Sequence, residues 1–145
     1  MLSRRDWLLL AVAAAVRPMT PVQVQKAMFL LGQRHKAAVG EHYYSFRPYN
    51  YGPFSSEIYQ DAAALANAGL LLVDSAQPGR AWALYTASPS GMRRSRDLEA
   101  DAPREAVEYL RRAVVWAQSL SFNELVSAIY RDFPEQRKNS VFVDR

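Results

Sequence analysis

Few side chains in this sequence could do acid–base or covalent chemistry, and their spacing does not gather them into an active site. His35 and His42 are the two histidines, and their separation fits no metal-binding motif. There is no cysteine, which removes thiol nucleophiles, disulfides and thiolate ligands and fits a reducing cytoplasm. No glycine-rich phosphate loop and no nucleophile elbow is present. Glu57 and Asp61 stand at i, i+4 on one helical face and could in principle hold a divalent ion. Two solvated acids near a helix N-terminus, where they favour the dipole, is the simpler reading. No catalytic residue, metal or cofactor is therefore expected.

The chemistry left is recognition, and two sets of residues could carry it. Tyr43, Tyr44 and Tyr49 lie in an aromatic run, and Glu57, Gln60 and Asp61 would line the outer face of the helix that follows. Exposed tyrosines ringed by polar groups suit a protein partner, because aromatic anchors dominate such interfaces. The run is also a place for core packing, in which Tyr51 and Phe54 are expected buried and Tyr43, Tyr44 or Tyr49 available. The second set is Arg47, Arg80, Arg93, Arg94 and Arg96, which could neutralise the phosphates of DNA. Arg93, Arg94 and Arg96 could equally be a solvated face paired with Asp97 and Glu99. The helix expected over 55–68 has no cation at all, and its carboxylates would repel a duplex. A protein ligand is favoured over DNA on that ground.

These residues hang on one stretch, Phe46 to Val73. Tyr51-Gly52-Pro53 cannot continue a helix, because proline lacks the N–H and forces its predecessor to extend. Ser55 can cap the next helix, with Phe54 and Tyr59 as its hydrophobic staple. Ile58, Ala62, Leu65 and Ala66 give that helix an apolar face, Gly69 ends it, and Leu70 to Val73 reads as a strand. A second strand is expected over 81–86, beyond the turn cluster 74–79, with Arg80 at the tip of the hairpin. Helix, glycine stop and hairpin is the arrangement of a winged helix.

Further signals place the remaining helices. Thr20-Pro21-Val22-Gln23 is a capping box with proline at the first helical position, opening a helix to about residue 33. Ser88-Pro89 opens another by the same logic, and Asp101 is expected to cap a helix over 102–118. Its buried face would be Ala106, Tyr109, Leu110, Ala113, Val114 and Ala117. Ser121 and Glu124 form a second capping box, before an amphipathic helix of Phe122, Leu125, Val126 and Ile129. The tail from Gln136 to Asp144 is either frayed or docked as an arm. At the other end, Ser3-Arg4-Arg5 before an apolar run resembles a twin-arginine signal. The run is short and has no cleavage site, so a folded helix near 6–16 is expected, with Trp7, Leu8, Ala11 and Ala15 on one face. With 145 residues, half of them hydrophobic, one domain is expected. The net charge of +4 permits an acidic partner without requiring one.

Two segments carry a resemblance. Val24-Gln25-Lys26-Ala27-Met28-Phe29-Leu30-Leu31-Gly32-Gln33 and Tyr49-Asn50-Tyr51-Gly52-Pro53-Phe54-Ser55, followed by Leu65 to Leu71, resemble the bacterial YwgA-like proteins. They are also similar to the Panacea (SocA-like) antitoxin group, with its QKLLYF…YGP pattern. The resemblance covers roughly residues 5–90, and Phe54-Ser55 departs from the antitoxin group's usual continuation. It implies a helical fold with a small winged-helix-like sheet, and roles in toxin neutralisation, proteolytic adaptor work or phage-defence loci. It implies no catalytic residue. The expectation is thus a mainly α (α+β) chain: a winged-helix-like core (1–90) with a small β-hairpin and a C-terminal helical extension (91–145). Its expected function is non-enzymatic, cytoplasmic binding of a protein partner as an antitoxin- or adaptor-like module. The alternative is a DNA-binding regulator that touches the backbone through the wing and flanking arginines. A homodimer through the C-terminal helix pair is compatible with either, and no membrane association is expected.

Overall fold

The computed structural model describes residues 1–143. Among the described residues, seven α-helices run in the order α1 (Arg4–Ala13), α2 (Pro21–Arg34), α3 (Lys36–Val39), α4 (Glu57–Asn67), α5 (Pro89–Ala100), α6 (Arg104–Ser119) and α7 (Phe122–Asp132). Two antiparallel hairpins interrupt them, β1 (Arg47–Tyr49) with β2 (Gly52–Phe54) and β3 (Leu71–Asp74) with β4 (Leu84–Ala87). The fold is mainly α with two small sheets.

The helix starts follow from side-chain capping. Ser3 with Asp6, Thr20 with Gln23 and Ser121 with Glu124 are reciprocal capping boxes, and the Ser88 hydroxyl accepts from the Gly91 N–H. The Ser3 box starts α1 two residues before the expected position. Two expected caps are corrected. Asp101 closes α5 rather than opening α6, which starts after Pro103 with no side-chain cap. Ser55 is not the cap of α4: it is buried, with its backbone held by another side chain, and Ser56 takes the capping position.

After its charged first turn, α1 is apolar all round because it is buried all round: Trp7 through Val12 are in the core. It packs against α2, α4, α5, α6 and β4. Ala106, Val107, Leu110 and Val114 of α6 belong to the same core, so the C-terminal helices share it with the N-terminal ones. A smaller cluster of Ala117, Leu125 and Ile129 joins α7 to Val22 and Leu30 of α2. Among the described residues, no helix is long and apolar enough to cross a membrane.

α4 ends as expected. Gly69 has φ +78°, and the Leu70 N–H reaches back to the Leu65 carbonyl at 2.9 Å. β3 then pairs with β4 in the register Leu71↔Ala87 to Asp74↔Leu84. β4 also exchanges two backbone hydrogen bonds with buried Met19, which ties the sheet to the α1–α2 connection. The start of α5 presses on this corner. A methyl group on Gly91 would lie 2.0 Å from the Leu70 carbonyl oxygen, so only glycine fits there.

β1–β2 was not foreseen, since residues 46–53 read as a lead-in and a break. Its register sets Pro48 opposite Pro53, between Arg47↔Phe54 and Tyr49↔Gly52. Ladder positions alternate between hydrogen-bonded and non-hydrogen-bonded pairs, and only the latter accepts two residues without N–H groups.

Candidate functional site

The two motif segments meet. Gln25 and Lys26 are polar residues on the buried side of α2. The Gln25 amide donates to the Ser55 carbonyl and accepts from the Ser55 N–H, both at 2.9 Å, as a second backbone strand would. The Lys26 Nζ donates to the Pro53 carbonyl at 3.2 Å. Lys26 is 3% exposed, and burial alone pushes its pKa down to about 7. Gln-Lys on α2 therefore locks Gly-Pro-x-Ser, which is β2 and the residue after it, in place. Beside this lock is a chamber of about 220 Å³ lined by Lys26, Asn50, Gly52 and the rings of Tyr49, Tyr51 and Tyr59.

The chamber adjoins a larger groove of about 660 Å³, and the two share Pro21, Val22 and Tyr51. The groove lies between the start of α2, the segment before β4 and the start of α7. Three of its aromatic side chains are open to solvent: Tyr51 at 44%, Trp82 at 48% and Phe122 at 43%. Leu120, Leu125 and Val22 make the floor apolar. Tyr51 and Phe122 meet edge to face at 5.1 Å. The tail docks beside them: Val141 N–H and the Ser140 hydroxyl donate to the Asn50 carbonyl, and the Phe142 ring contacts Phe122 and Tyr130. It is a docked arm through Phe142; Asp144 lies outside the described residues.

Several expected positions are corrected. Asp61 is not on an outer face: it is 1% exposed and accepts from Arg4 Nε at 3.0 Å, Arg5 Nε at 2.9 Å and the Tyr44 hydroxyl at 2.6 Å. Arg4 also holds Glu57 at 2.9 Å. The acids of α4 thus bind the arginines of α1, with Asp61 buried and Glu57 still partly open to water. Tyr44 is buried in this network, which raises its pKa well above normal through desolvation and the Asp61 hydrogen bond. Tyr43 is half-buried with its hydroxyl on the Met28 carbonyl. Tyr49 and Gln60 are exposed, and Tyr49 lies under the Arg47 guanidinium. The six residues expected to form one partner surface are therefore divided between an internal network and separate exposed sites. The expected burial of Tyr51 is reversed, and Phe54 is only half-buried, since β1–β2 lifts Tyr51 into its turn. Phe122 opens its helix on the solvent side and not on the buried face.

The basic residues are also dispersed. Arg80 is folded back onto its own loop, bonded to Asp74 at 3.1 Å and to the Ser75 carbonyl at 2.8 Å, so it is no free wing-tip cation. Arg93, Arg94 and Arg96 are exposed on α5. Among the described residues none of the three has an ion-pair partner, and Glu99 pairs with Arg111 instead. Outward positions of α4 are Gln60, Ala63 and Asn67, with no cation. Among the described residues, no three histidine or carboxylate side chains gather to hold a metal ion.

The groove aromatics were missed because Trp82 lies in the segment read as strand and Phe122 fits an amphipathic period. Their one available signal was an aromatic directly beside a turn or a cap. No protein-family model matches the chain, and no curated protein matches it.

Proposed function

We propose that this chain is a winged-helix-like interaction module whose ligand is an apolar segment of a protein partner, held in the Tyr51–Trp82–Phe122 groove. α2, α4 and the β3–β4 hairpin supply the helix, helix and wing of that reading. The observation that carries the function is three large aromatic side chains, each close to half exposed, around one apolar groove. Keeping such surface in water is unfavourable, and grouped exposure of this kind marks binding surfaces. An antitoxin- or adaptor-like role in a toxin–antitoxin or phage-defence setting is the form that the resemblance implies, and toxin or substrate protein is then the partner.

DNA binding is the second reading, and Arg93, Arg94 and Arg96, exposed on one helix and without an ion pair among the described residues, favour it. The two readings use different faces, so paired variants separate them. The tagged chain is purified from its host as wild type, as Trp82→Ser/Phe122→Ser and as Arg93→Ala/Arg94→Ala. A protein lost only from the groove variant supports the proposal. Retention of every bound protein by that variant, with DNA lost from the arginine variant, overturns it.

A further inference from the structure

The groove does not end in an apolar wall. The smaller chamber that adjoins it is lined by Lys26, among the described residues the one charged side chain of that lining. An ammonium has three donors, and here the Pro53 carbonyl takes one. Among the described residues, no carboxylate offsets the burial. Gly52 places no side chain against the buried amine, where a Cβ would sit 3.5 Å from Nζ and 3.4 Å from Cε. A methionine would fill the same space without the cost of a desolvated charge, and a glutamine could make the single carbonyl contact. The arrangement is that of a donor whose acceptor arrives from outside.

We propose that the Lys26 chamber receives the C-terminal carboxylate of the partner protein, while its preceding apolar side chains lie on Tyr51, Trp82 and Phe122. This rests on the groove reading and adds to it the end of the chain that is bound. Charge complementarity selects the occupant: an anion is what a buried ammonium with one of its three donors used lacks. Size suits a terminus, because about 220 Å³ is room for a single terminal residue and its carboxylate. The carboxylate accepts from Nζ, and the terminal side chain packs among Tyr49, Tyr51 and Tyr59.

The test uses the full chain and two displayed heptapeptide libraries, one with free C-termini and one with the peptides fused at both ends. Peptides enriched from the free library are then synthesised as acid and amide. The expected result is enrichment of apolar sequences from the free library, with acids bound about tenfold or more tighter than amides. Lys26→Met, checked for folding by circular dichroism, should bind acid and amide alike. Equal binding of acid and amide by the wild type overturns the inference without involving any variant. Enrichment from the doubly fused library alone overturns it too, yet leaves the groove reading standing. No enrichment from either library removes both.

Discussion

Lys26 gives the protein a pH-dependent stability of unusual sign. Its folded pKa is about 7, against about 10.4 in an unfolded chain. Between those values the unfolded state binds the extra proton, so stability must rise with pH across that window. Below pH 7 the burial penalty is complete and constant; above the unfolded value it is gone. From pH 7 to pH 9 the rise from this one group should be about 2 kcal/mol. The raised pKa values of Tyr44 and Tyr59 act in the opposite direction, but only as pH climbs past the normal tyrosine value. Urea unfolding at pH 6, 7, 8 and 9, on wild type and Lys26→Met, isolates the term as the difference between the two proteins. Lys26→Met should be the more stable at pH 6, with the gap shrinking steadily toward pH 9. A gap that is flat over this range would mean that Lys26 stays charged in the folded state, and would refute the reasoning.

Other perturbations test particular contacts. Asp61→Ala leaves the Tyr44 hydroxyl and two arginines without their acceptor, and should cost about 3 kcal/mol by chemical denaturation, with Glu57→Ala costing under about 1 kcal/mol. Gly91→Ala forces α5 off the Leu70 carbonyl and should destabilise by about 3 kcal/mol or prevent folding, where an ordinary helical position would gain from alanine. Leu65→Ala empties a buried site between α4 and the main core, and should lose about 2–5 kcal/mol. If DNA binds at all, Arg93→Ala/Arg94→Ala should flatten the dependence of log affinity on log salt by about 0.9 for each phosphate contact removed. An unchanged slope would place the contacts elsewhere.

Local signals made much of the helical frame legible. Capping residues at Thr20, Ser88 and Ser121 mark their own helices, because the chemistry that satisfies free N–H groups lies within three residues. Gly69 and the apolar run after it were equally plain. The strand expected from residue 81 begins only at Leu84, because Arg80 bonds to Asp74 and Ser75 and curls the intervening loop. What the sequence hides is which polar groups face each other. Glu57 and Asp61 read as a solvated face because Arg4 and Arg5, which pair with them and enclose Asp61, lie more than fifty positions earlier. Gln25 and Lys26 read as a family pattern, and their purpose became visible only when Ser55 and Pro53 came within hydrogen-bond reach. The groove is assembled from three separated places in the chain, around Tyr51, Trp82 and Phe122, so no periodicity within one element could announce it.

Site-specific photo-crosslinking in the host tests the groove directly. A benzophenone amino acid in place of Phe122 samples the groove, and the same residue in place of Arg94 samples α5 on its exposed side. The account predicts a discrete protein adduct at position 122 that disappears when Trp82 is also changed to serine, and no such adduct at position 94. A protein or DNA adduct formed at position 94 alone would contradict it.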